Sequence, residues 1–259
     1  MNVRHRADPL QQLKNVSGAD HATLRQGAAD KTVTWSPKDP ALAALVADFK
    51  AEVKEYYYWA QRRRCCYCSF ELQGHKLTYD AEHILDKDDY PEHTFELTNL
   101  AAVCKHCNIS KSNQSISSSG TRFPTLSLVP DHYRIVHPHL DEWSVHLRFD
   151  EIGRIQAVPA SSKGVETIRI CKIGFINAAR LSDEFSLRDR PQAEQTLREF
   201  HEDNDLARKK ELLDLIAELA RRYDHPGSRA IVAHLADELG KSVAQLGLNA
   251  AALPQLPAP

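Results

Sequence analysis

The chain has 259 residues, 42% hydrophobic and 26% charged, with a formal net charge of −2. That length buries one large core or two small ones, the composition is that of a soluble globular protein, and no apolar run approaches the roughly 20 residues of a membrane helix. Near-neutral charge excludes a protein that grips phosphate by bulk positive charge, so any hold on nucleic acid must be local or supplied by a partner.

The start, Met1-Asn2-Val3-Arg4-His5-Arg6, carries no leader pattern, and a cytoplasmic protein is expected. Residues 1–38 lack periodicity and read as a partly disordered arm. Asp39-Pro40 reads as an N-cap followed by a proline in the first helical position. Leu42, Leu45, Val46, Phe49, Val53, Tyr56, Tyr57 and Ala60 then recur at helical steps, so 39–64 forms an amphipathic helix. Its end, Gln61-Arg62-Arg63-Arg64, sets cations at the negative helix terminus. The cysteines and the chemistry fall in 65–120, which closes in a serine-rich loop from Ser112 to Ser119.

Over 121–190 the pattern turns β-like and then helical. Ser144 to Phe149 and Arg154 to Val158 alternate around an Asp150-Glu151-Ile152-Gly153 turn, which predicts a hairpin. Helical spacing returns from Thr167 to Asp183. Residues 191–246 form a helical C-terminal region: a charged amphipathic helix over 191–223, a break at His225-Pro226-Gly227, and a shorter helix through Leu239. Residues 247–259 are expected to be a flexible tail.

Cys65-Cys66-Tyr67-Cys68 and Cys104-Lys105-His106-Cys107 form two Cys-x-x-Cys pairs. Each pair sets two thiolates on one tight knuckle, and two knuckles complete a closed, structural tetrathiolate zinc site. Cys65 gives the regular spacing and is taken as the first ligand, although Cys66-x-Cys68 is an alternative. Cys171, in an apolar stretch, reads as a core residue. The segment between the knuckles is short and polar, so zinc would supply much of its stability.

Between the pairs lie Tyr79-Asp80-Ala81-Glu82-His83-Ile84-Leu85-Asp86-Lys87, then Leu97-Thr98-Asn99-Leu100-Ala101-Ala102-Val103, then Cys107-Asn108-Ile109-Ser110-Lys111. Phosphodiester hydrolysis needs an activated water, a cation to offset developing charge, and rigid positioning. Histidine is a base suited to neutral pH, and carboxylate and amide oxygens suit Mg²⁺ or Mn²⁺. The order of these elements resembles the zinc-knuckle branch of the HNH, or ββα-metal, endonucleases over about 50 residues.

The resemblance implies an α+β fold: a zinc-clamped ββα-metal module among α-helices, with a β-hairpin extension and a helical C-terminal region. It makes His83 the general base and Glu82 and Asn108 the ligands of one catalytic divalent metal. Asn99 would brace the loop bearing the base, and Asp80 is an outer-shell or substitute ligand. Lys111, with Lys87 and Arg64, would contact phosphate. Asp86-Lys87-Asp88-Asp89 departs from the pattern by placing acids beside the substrate path. His75, His93 and His106 are expected at the surface.

A further similarity covers Ile135-Val136-His137-Pro138-His139-Leu140-Asp141-Glu142-Trp143, the hairpin around Gly153, and Glu166-Thr167-Ile168 leading to Arg180. This part resembles the extension of HNH proteins in bacterial anti-phage systems, nearest to the nuclease partner of the Septu type, which works with an ATPase subunit. His137, His139 and Asp141 would there shape a strand entry rather than bind metal. The expected function is a DNA endonuclease of that kind. The alternatives are a zinc-stabilised binding module without catalysis and an RNA-cleaving enzyme with the same site.

Overall fold

The computed structural model describes residues 3–75, 77–123 and 125–245, so the tail expected over 247–259 lies outside the described residues. The fold is α+β. The chain divides into two units, 1–148 with 156–173, and 149–155 with 174–259.

The first unit opens with a segment that differs from the loose arm expected of it. Ser17 caps α1 (Gly18–Ala29) through a bond from the Asp20 amide. Arg4, Ala7, Leu10, Leu13, Val16, Leu24, Ala28 and Val33 are buried. Their spacing follows no single helix because Arg4, Ala7, Leu10, Leu13 and Val16 precede α1 in irregular chain. The Leu10 amide donates to the Tyr57 hydroxyl. Helix α2 (Pro40–Ala60) begins where the Asp39–proline pair predicts, with the Asp39 carboxylate accepting from the Leu42 amide. Its buried stripe of Val46, Phe49, Val53 and Tyr57 faces the core. Arg62 and Arg63 adopt positive φ, 54° and 59°, and end the helix by turning the chain toward the first knuckle.

Strands β1 (Tyr79–His83) and β2 (Leu100–Cys104) pair antiparallel, with Glu82 opposite Ala101 and His83 opposite Leu100. Helix α3 (Lys105–Lys111) follows β2 directly. The buried Gln61 side chain takes the place of a neighbouring strand on β2. Its Oε1 accepts from the Ala102 amide and its Nε2 donates to the Ala102 carbonyl, both at 2.8 Å.

The region expected to be a strand from Ser144 begins instead as a single helical turn, α4 (Trp143–His146). The hairpin is then short, β3 (Leu147–Phe149) and β4 (Ile155–Ala157). Trp143 is fully buried and its indole N–H donates to the Tyr67 carbonyl, so packing overrides local alternation here. The helix expected over 167–183 is divided. Helix α5 (Ser162–Ile170) ends before Lys172, whose φ is 45°. Gly164 lets α5 come close to the His146 carbonyl, because a methyl at that position would lie 2.2 Å from the oxygen.

The second unit holds α6 (Ile173–Ser182), α7 (Arg190–Glu202), α8 (Leu206–Tyr223) and α9 (Pro226–Gln245). The single helix expected over 191–223 breaks before Asp205, which caps α8 through the Ala207 amide. Leu181, Phe185, Leu197, Phe200, Leu213, Ile216, Leu219 and Leu235 form this unit's apolar core. Gly153 closes the hairpin turn at φ 81°. Buried Arg154 then ties the turn to α9 through Asp150 and Glu238.

Candidate active site

The Sγ atoms of Cys65, Cys68, Cys104 and Cys107 all lie within 4.8 Å of one another. Cys68 and Cys104 are 3.8 Å apart, close to the edge of a tetrahedron with zinc–sulfur distances of about 2.3 Å. The donor set therefore fits zinc, with Cys65 rather than Cys66 in the cluster. The Cys66 carbonyl instead accepts from the Arg4 guanidinium, while its amide donates to Ala102 on β2. Cys104 caps α3 by accepting from the Cys107 amide, so the second knuckle doubles as a helix start. Cys171 is fully buried, and burial pushes its thiol up.

Beside the cluster is a cleft of about 480 Å³ whose lining includes Asp80, Glu82, His83, Asn108 and Lys87. Asp80 and Glu82 are two apart on β1 and point to one side, toward α3. The Asn108 amide nitrogen donates to Asp80 Oδ2 at 2.8 Å. Glu82 is buried and accepts from the Tyr67 hydroxyl at 3.0 Å and from the Lys111 ammonium at 2.8 Å. Burial raises the Glu82 carboxyl above the usual carboxylate range, and Lys111 opposes that rise.

His83 is the last residue of β1, where the strand ends and the alternation of faces no longer separates it from Glu82. Its Nε2 is 3.1 Å from the Thr94 carbonyl. That carbonyl fixes Nε2 as the protonated nitrogen and leaves Nδ1 as the lone-pair nitrogen. Burial pushes the imidazole down to about 3; Thr94 opposes the fall, and the ammonium groups of Lys87, Lys111 and Lys50 add to it. The ring is therefore neutral at physiological pH. Trp35 meets its edge, with ring centroids 4.4 Å apart.

Asn99, on the short turn before β2, is buried and engaged through both side-chain atoms. Oδ1 accepts from the Leu85 amide, and Nδ2 donates to the Leu85 and His93 carbonyls. These bonds hold both ends of the loop that follows His83.

Other candidate residues lie elsewhere. Lys111, expected to meet phosphate, is 2% exposed and donates to the His83 carbonyl as well as to Glu82. Arg64 bonds the Ser69 carbonyl within the first knuckle and is not part of the cleft lining. Lys87 lines the cleft beside Asp88, 3.1 Å away. His75 is exposed. His93, expected at the surface, is buried, because the turn at Pro91 stacks its ring on Tyr90. His106 is half-buried against the Lys172 carbonyl.

His137, His139 and Asp141 do not converge on the cleft. The Asp141 carboxylate accepts from the His137 amide and from Lys163, and His139 bonds the carbonyls of Ala7 and Leu100. They tie the extension to the arm and to β2.

Tyr67, Trp35, Lys50 and Lys54 are contributors that motif spacing did not single out. A signal was present for the lysines: they are four apart on α2, one position after the core residues Phe49 and Val53.

The site thus belongs to a protein of α+β class, with a four-cysteine cluster that could hold zinc beside a cleft of carboxylates, amide and histidine. No family model matches the chain. The Septu protein PtuB of Bacillus thuringiensis is similar, 29% identical over 72 residues. The aligned segment is 28% of this chain and 28% of that protein, so the chain spans little more than a quarter of the relative's length. Among the described residues no helix is long and apolar enough to cross a membrane.

Proposed function

We propose that this chain is a metal-dependent HNH endonuclease that hydrolyses phosphodiester bonds in DNA, acting in the bacterial cytoplasm as an anti-phage effector beside an ATPase partner. The observation that carries this reading is the convergence of Asp80, Glu82, His83 and Asn108 on one cleft next to the four-cysteine cluster. The similarity to a Septu protein supports the defence role.

In this reading His83 takes the proton from the attacking water at Nδ1, the nitrogen that the Thr94 carbonyl leaves unprotonated. Thr94, Trp35 and the Asn99-held loop keep the ring from turning. Asp80, Glu82 and the Asn108 amide oxygen are hard donors that fit Mg²⁺ or Mn²⁺. Asp80 is the more accessible carboxylate, at 26% side-chain exposure against 2% for Glu82. Asp80 Oδ1 pairs with the Lys105 ammonium, and Glu82 is oriented by Tyr67 and Lys111. Asp80, Glu82 and Asn108 would hold the divalent cation, which when bound would supply charge to offset that on the phosphate and the leaving oxygen. Lys87 is the cation at the cleft mouth that meets a neighbouring phosphate.

Nicking of supercoiled plasmid tests the reading. Cleavage that requires Mg²⁺ or Mn²⁺ and stops with EDTA is the expected result. One observation favours a second reading, a zinc-stabilised binding module without catalysis: the Lys111 ammonium already compensates Glu82. No cleavage with any divalent metal, together with retained DNA binding, would select that reading.

A further inference from the structure

The cleft has two electrical sides. Asp80, Glu82, Asp86 and Asp88 line the side built by β1 and the loop after it, while Lys50 and Lys54 line it from α2, with Trp35 just ahead of that helix. A polyanion cannot enter an acid-lined cleft unless the facing wall offers cations.

Lys50 and Lys54 are four residues apart, so their ammonium groups share one stripe of α2, about 6 Å apart along the axis. Like charges at that spacing destabilise a helix unless an anion lies between them. Both stems are held rather than free in solvent. Lys50 Nζ is 4.6 Å from the Trp35 ring centre, and Lys54 Nζ is 4.8 Å from that of Tyr79. Among the described residues Lys50 has no acidic partner, and burial together with Lys54 pushes its ammonium down. An anion beside Lys50 would offset that cost. Of the three cations named from the sequence as phosphate contacts, Lys111 and Arg64 are committed to Glu82 and to the first knuckle, which leaves Lys87 at the cleft mouth.

Resting on the nuclease reading, we propose that Lys50 and Lys54 of α2 form the phosphate-gripping wall of the cleft and hold the DNA backbone opposite His83, with Trp35 fixing Lys50 in place. The main hold on substrate then comes from the helix ahead of the cysteine-bounded module. This also gives a chain of net charge −2 a local cationic surface at the place of chemistry.

The test is the affinity of the full-length, zinc-loaded chain for a fluorescein-labelled DNA duplex across a salt series, with Ca²⁺ replacing Mg²⁺. Each lost phosphate contact flattens the plot of log affinity against log salt by about 0.9. Lys50→Ala/Lys54→Ala is expected to flatten it by about 2 and to weaken low-salt binding at least tenfold, with zinc content unchanged. Lys50→Arg/Lys54→Arg is expected to restore the slope. An unchanged slope in the alanine variant, with the wild type still cleaving DNA, overturns the wall and leaves the nuclease reading standing. A wild type that neither binds nor cleaves DNA overturns both. An unlabelled RNA that competes more strongly than DNA of the same sequence overturns DNA as the ligand of this wall.

Discussion

The Lys111 ammonium lies 2.8 Å from Glu82 Oε1, and both side chains are only 2% exposed. Two charges taken out of water repay their desolvation only with good geometry and further hydrogen bonds. Here the Tyr67 hydroxyl and the His83 carbonyl supply those bonds. Removing one partner leaves a buried charge uncompensated, at a typical cost of about 3–5 kcal/mol. Lys111→Met is therefore expected to lower unfolding free energy by that amount in urea titrations of the zinc-loaded protein. The double variant Glu82→Gln/Lys111→Met should lose much less than the sum of the two single changes. Additive losses would show that the pair is not coupled. Because Lys111 faces inward, its removal should also leave the salt dependence of DNA binding unaltered.

The cysteine cluster makes a separate prediction. The purified protein should carry about one zinc per chain, and Cys104→Ser/Cys107→Ser should carry almost none by metal analysis. The same variant should be poorly soluble, because the knuckles bracket the strand and loop that bear His83, and zinc binding in such sites is folding free energy. Equal zinc in both proteins would refute a tetrathiolate site.

Much of the site's position was readable in the sequence because it is local and chemical. The knuckles, the strand ending in His83 and the Asn99 turn each follow from residues within a few positions of one another. What escaped reading depends on long-range packing. Residues 3–17 gave no periodic signal, yet Arg4 is buried against the first knuckle, and its guanidinium bonds carbonyls at 66 and 138. Lys111 reads as a phosphate contact on the helix after Cys107, and only the closeness of α3 to β1 turns it toward Glu82. Trp143 pulls the expected strand start into a helical turn for the same kind of reason. The break before Asp205 was signalled by Asp203-Asn204-Asp205, a cluster favouring caps over helix interior.

A pH prediction rests on the second unit. His201 is half-buried near Arg154, and desolvation, with Arg154 and Lys209, pushes its imidazole down to about 3, opposed by Asp150. The folded value is below the unfolded value near 6.5, so on acidification the unfolded chain takes up a proton that the native state refuses. The stability from this group is complete above pH 6.5 and is lost as pH falls from there toward 3. At pH 5, 1.5 pH units below the unfolded value, the loss is about 2 kcal/mol. His201→Gln should therefore lose about 2 kcal/mol less than wild type between pH 7 and pH 5 in urea unfolding. Parallel losses would contradict a neutral His201 in the folded state.

The central claim is that His83 is the base in a cleft whose metal donors are Asp80, Glu82 and Asn108. Its most direct test is plasmid cleavage by His83→Ala in Mg²⁺ and in Mn²⁺, with zinc content and DNA affinity measured on the same preparation. General base catalysis is typically worth about 10²–10⁴ in rate. Cleavage should fall by at least that range while zinc and DNA affinity stay at wild-type levels, and extra metal should not restore it. Cleavage at the wild-type rate by a zinc-loaded, DNA-binding His83→Ala protein would contradict the account and put the active site elsewhere.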